Sequence, residues 1–79
     1  MLEDEALVTV ATFKTVFEAS LAKGALESIG IAASVPEEML VRAHGSIMPI
    51  ARLQVFASQA SRAQIELRRM QIRLVDDER

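Results

Sequence analysis

Residues 7–35 read LVTVATFKTVFEASLAKGALESIGIAASV, and this stretch decides the fold. It opens within Ala6-Leu7-Val8-Thr9-Val10-Ala11-Thr12, which is rich in β-branched side chains and nearly continuous in apolar character. That is the pattern of a central strand covered on at least one face. Thr15-Val16-Phe17-Glu18 then reads as a capping box, in which the Thr15 hydroxyl accepts from the Glu18 amide while the Glu18 carboxylate reaches back. The pattern predicts a helix from about Val16 to Ser28. Ala19, Ala22, Leu26 and Ile29 repeat at helical spacing, and Ala25 widens the stripe. Lys14, Glu18, Lys23 and Glu27 fall mostly off that stripe and are expected to face water. Gly30 follows the last stripe residue, where a left-handed backbone ends a helix. Gly24, inside the helix, costs about 1 kcal/mol relative to alanine; close backbone packing would explain it. Ile31-Ala32-Ala33-Ser34-Val35 then forms a second strand, so the unit is βαβ with a right-handed crossover.

Working outward, residues 36–50 make a long connection between strands, expected as a loop with a short helix in its first nine residues. Pro36 suits the first helical position, Glu37 and Glu38 suit the positive end of the dipole, and Arg42 and His44 suit the negative end. Gly45 would close the helix, and Ser46-Ile47-Met48-Pro49 is loop; the competing reading extends Met39-Leu40-Val41 into a hairpin. Ala51-Arg52-Leu53-Gln54-Val55-Phe56 reads as a third strand, with Leu53 and Val55 on one face and Arg52 and Gln54 on the other. Ser58 is the expected cap of a second long helix starting at Gln59. Ala60, Ala63, Leu67, Met70 and Leu74 form its apolar stripe, and Arg62, Glu66, Arg69 and Arg73 its wet side. Met70-Gln71-Ile72-Arg73-Leu74 also alternates with period two. A helix to about Leu74 is favoured, and a fourth strand is the alternative. Residues 1–5 read as an acidic tail and 76–79 as a charged one. The fold class is therefore α+β, a β-α-β-β-α sandwich on the ferredoxin-like plan. It has an open sheet with two helices on one face and an optional fourth strand. In that plan the first strand lies between the third and the last, so without a last strand its outer edge is open for pairing.

The chain has 79 residues, enough for one domain, and 51% of them are hydrophobic. It contains no Cys and one His, so a disulfide framework is excluded and a metal staple is poorly supplied. The net charge of −2 gives no nucleic-acid lead, and no aromatic sits where a ferredoxin-like RNA binder stacks bases except Phe56 at the end of its strand. No apolar run approaches a membrane span, and the acidic Met1-Leu2-Glu3-Asp4-Glu5 start differs from a secretory leader, so the expected compartment is the cytoplasm.

Three segments carry a family resemblance: Leu7-Val8-Thr9-Val10-Ala11 followed by Val16-Phe17-Glu18-Ala19; the run Leu21 to Ala33 with its Leu26-Glu27-Ser28-Ile29-Gly30-Ile31 helix exit; and Leu53-Gln54-Val55 leading into a helix with Ala60 and Ala63. Gly45 and Pro49, before the third strand, belong to the same pattern. Over about residues 7–74 the chain resembles the small bacterial family of prokaryotic signal-transducing proteins, a domain of unknown function with a reduced PII-like fold. Phe56-Ala57-Ser58-Gln59-Ala60 departs from the family's Pro-Glu-Glu-Asp type of cap. The resemblance implies a PII-like shape and a role in signal transduction, and it brings over no residue with a defined role.

The residues themselves offer no reaction centre. His44 is the only neutral-pH base, and Ser46 nearby lacks an orienting partner. Glu37-Glu38 is at most one arm of a metal site and is more simply a helix start. The three glycines do not form a phosphate loop. The connection 36–50 is unusual for its large aliphatics: Met39, Leu40, Val41, Ile47, Met48 and Ile50. They either close the open end of the core or form a contact surface, for which methionine is well suited. The expectation is a non-enzymatic regulatory or protein-interaction module that binds a protein partner through 36–50, with Met39, Leu40, Arg42, His44, Met48 and Arg52 as candidate contacts. Homo-oligomer formation is a further expectation; no cofactor, nucleic acid or membrane is expected. The alternative is a small-ligand or nucleotide-binding domain, or an enzyme accessory subunit, with Arg42 and Arg52 supplying positive charge at the same place.

Overall fold

The computed structural model describes residues 6–44 and 50–70. The elements are β1 (Leu7–Phe13), α1 (Val16–Glu27), β2 (Ala33–Ser34), α2 (Pro36–His44), β3 (Ala51–Phe56), a 3₁₀ turn (Ala57–Gln59) and α3 (Ala60–Arg69). The three strands form one antiparallel sheet in the order β1-β3-β2. This small α+β arrangement is compatible with a ferredoxin-like plan.

The local signals around α1 produce the helix exit and one of the two predicted capping-box bonds, without the return bond from the Glu18 carboxylate. The Glu18 amide donates to the Thr15 hydroxyl at 3.0 Å, which satisfies one of the first-turn donors. At the other end Gly30 takes φ +90°, and the Ile31 and Gly30 amides donate to the Leu26 and Glu27 carbonyls, each at 3.0 Å. That nested pair is a Schellman motif, and its hydrophobic contact is between Leu26 and Ile31, both buried in the core. Ala19, Ala22 and Leu26 are buried, so two alanines let the helix lie close to Leu53 and Val55 of β3. Gly24 is a correction. It faces solvent, and a Cβ placed there would meet nothing within 4 Å, so close packing is not its reason.

The sheet buries one face. Ala51, Leu53 and Val55 point into the core, while Arg52, Gln54 and Phe56 point away, as the alternation predicts. β1 carries a bulge between Thr9 and Ala11. The extra residue allows Val10 and Ala11 to be buried in succession, which accounts for the near-continuous apolar run. Ala63 and Leu67 of α3 join the same core as the α1 residues, so both long helices cover one face. The other face pairs Leu7 with Phe56, Thr9 with Gln54 and Thr12 with Arg52; the Gln54 amide donates to the Thr9 hydroxyl at 3.2 Å.

The order β1-β3-β2 sets β1 beside β3 with its other edge unpaired among the described strands, as the plan gives when no last strand is counted. Three further expectations are corrected. β2 has two residues instead of five, because Pro36 starts a helix directly after Val35; Ile31 and Val35 remain in the core without pairing. Ser58 is not a cap: it lies within the 3₁₀ turn, and neither that turn nor α3 has a side-chain cap bond. α3 starts at Ala60 instead of Gln59 and is described to Arg69, with Met70 in a turn. The two tails and the choice between helix and fourth strand after Met70 lie outside the described residues.

Candidate functional site

The connection 36–50 is mostly helix: α2 occupies the nine residues for which a short helix was expected, and the hairpin alternative does not occur. Its first turn decides how it sits. The Glu37 carboxylate is 6% exposed and accepts two bonds from Arg52: the backbone N–H at 2.9 Å to Oε1, and Nε at 2.7 Å to Oε2. β2 pairs with β3 through Ser34 and Gln54 and then stops. One step further along β3, the Arg52 N–H would meet the next strand carbonyl, and Glu37 supplies the acceptor instead. Glu38, about 100° around the helix, turns to α1. It accepts from the Ser20 hydroxyl and from Lys23 Nζ at 3.0 Å. Two neighbouring glutamates thus tie α2 to two different elements.

Burial by itself would push the Glu37 carboxyl up. The Arg52 N–H, the Arg52 guanidinium and the backbone amide of Glu37 outweigh it and hold the group below its ordinary 4.5. Arg52 is half exposed, so the ion pair is partly screened while the backbone bond is not.

These contacts revise the expected roles. Glu37 and Glu38 are tethers more than solvated dipole partners, and Lys23 is an ion-pair partner more than a wet side chain. No group of three or more metal-ligating side chains occurs among the described residues. Of the candidate contacts, Arg52 is drawn into the tether. Met39 and Leu40 stand on the outward side of α2, 69% and 44% exposed, and Ile50 is 51% exposed where the chain returns to β3. Val41 is half-buried. The side chains of Arg42 and His44, and all of Met48 and Ile47, lie outside the described residues. The structure therefore brings Met39 and Leu40 together on one helix and sets Arg52 at its foot.

Sequence reasoning missed Ser20, Lys23, Glu37 and Glu38 as a cluster. A signal existed: Pro36-Glu37-Glu38 follows the apolar run ending at Val35 with no intervening loop, so the first-turn side chains meet the sheet edge. It also missed Phe17 and Leu21, one turn apart and exposed on the side of α1 opposite its buried alanines. No helix is long and apolar enough to cross a membrane among the described residues. Compared with known proteins, the chain matches no family model, no curated protein and no solved structure.

Proposed function

We propose that this chain is a small, non-enzymatic, cytoplasmic regulatory module of PII-like shape that binds a protein partner through α2 and the return to β3, in keeping with its resemblance to the prokaryotic signal-transducing family. The observation that carries the reading is the outward placement of Met39, Leu40 and Ile50 on one connection. The core does not use these side chains, and exposed aliphatics grouped on one segment are characteristic of contact surfaces. Self-association through β1 is part of the proposal: β1 holds seven residues without a charge or a proline, and among the described residues no strand pairs with its outer edge.

The test replaces Met39 and Leu40 by serine together and compares capture from lysate of the native host with the wild-type chain. Loss of a captured protein with native circular dichroism is the expected result. Equal capture by both chains removes α2 as the contact. Sedimentation at micromolar concentration is expected to show association, and a monomer at all concentrations removes the β1 edge from the proposal.

A further inference from the structure

We infer that α2 is a latched arm, held to the domain by two carboxylates instead of the apolar core, and that it opens as a unit while the sheet, α1 and α3 stay folded. The inference goes beyond the proposed function and does not depend on a partner. Its first ground is what α2 lacks. The buried core draws residues from β1, α1, β3, α3 and the segment around β2, and no described α2 side chain belongs to it or packs against it as a partly buried hydrophobe. Among the described α2 side chains the buried one is Glu37, Val41 is half-buried, and the large aliphatics Met39 and Leu40 turn outward.

The second ground is what holds the arm in place. Glu37 grips Arg52 on β3, and Glu38 grips Ser20 and Lys23 on α1. Hydrogen bonds weaken steeply once the donor and acceptor separate, so these contacts are lost together when the helix moves by a few ångströms. Apolar packing would yield more gradually. The Arg52, Lys23 and Glu38 side chains are already partly exposed and recover water on opening. Opening α1 would instead expose Ala19, Ala22 and Leu26. The third ground is the hinge. Val35 is buried in the core and α2 begins at the next residue, where Pro36 fixes φ and the Glu38 N–H donates to the Val35 carbonyl at 2.9 Å, so opening turns on the backbone just before Pro36 and carries that bond with the helix.

Native-state hydrogen exchange on the full chain tests this. The amides of Leu40 to His44 report α2, and those of Leu53 and Val55 report the core. In the wild type the α2 amides are expected to exchange faster than the core amides and with little dependence on added urea. Leu67→Ala weakens the core in the open and closed arm states alike. It should speed Leu53 and Val55 by about 30-fold or more and leave α2 exchange unchanged. Ala63→Gly is the milder substitute if Leu67→Ala does not fold. Glu37→Gln should speed α2 exchange by about 10- to 100-fold, the weight of a lost charged hydrogen bond. The inference fails if α2 amides accelerate in step with Leu53 and Val55 in the core variant, or if Glu37→Gln leaves them unmoved.

Discussion

The same chemical change, glycine to alanine, should move stability in opposite directions at two positions six residues apart. Gly24 lies in the middle of α1, faces solvent, and leaves open space where a Cβ would stand. Alanine there loses less backbone entropy on folding and meets no steric neighbour, so Gly24→Ala should stabilise by about 0.5–1 kcal/mol. Gly30 also has room for a Cβ, but its φ is +90°. An L side chain in the left-handed region costs about 1–2 kcal/mol, less a few tenths regained through the unfolded chain. Gly30→Ala should therefore destabilise by about 1 kcal/mol. The gap between the two variants is then about 2 kcal/mol, a sizeable share of the roughly 4–12 kcal/mol available to a domain of this length. Each kcal/mol moves the melting temperature of such a domain by about 4–8 °C. Urea unfolding followed at 222 nm, with the slope held equal among variants, reads both changes. A Gly24→Ala chain no more stable than wild type would refute the account of α1, because some body absent from the fold must then occupy that face. A neutral Gly30→Ala would refute the assigned helix exit.

The caps give a second contrast: Thr15→Ala should lose about 1 kcal/mol because the Glu18 amide loses its acceptor, whereas Ser58→Ala should stay within about 0.5 kcal/mol; equal losses in urea melts would contradict the corrected start of α3. Glu37→Ala should cost about 2–3 kcal/mol and Arg52→Ala only about 1 kcal/mol, because the second change keeps the backbone N–H bond and removes a half-exposed partner; the reverse order in chemical unfolding would show that the side-chain pair dominates. The folded Glu37 carboxyl lies below its ordinary 4.5, so its stabilisation is complete above that value and is lost as pH falls through the folded value. Urea midpoints taken from about pH 6 down to about pH 3 should fall less steeply in Glu37→Gln than in wild type, and parallel curves would remove Glu37 from the acid response.

The candidate site was only half legible in the sequence. The count of large aliphatics between residues 36 and 50 pointed to Met39 and Leu40, and the structure places both outward on α2. The proline and the two acids announced that helix. The partners of those acids could not be read, since Ser20, Lys23 and Arg52 lie 18, 15 and 15 residues away along the chain. Charge at a helix start has two physical uses, dipole complement and tether, and the residue types are the same for both.

By itself the sequence determined whatever depends on a few consecutive residues. The Thr15 hydroxyl and the Glu18 amide are three residues apart, the Leu26-to-Ile31 exit closes within six, and the alternation of β3 needs only its own pleat. Such contacts form from local backbone geometry whatever surrounds them. Tertiary structure decided that β2 stops after two residues and that Glu37 occupies the place of a strand carbonyl. Each of these is a competition for one edge of β3 between a strand and a carboxylate, and its outcome rests on burial and on partners that only the folded chain brings within hydrogen-bond reach.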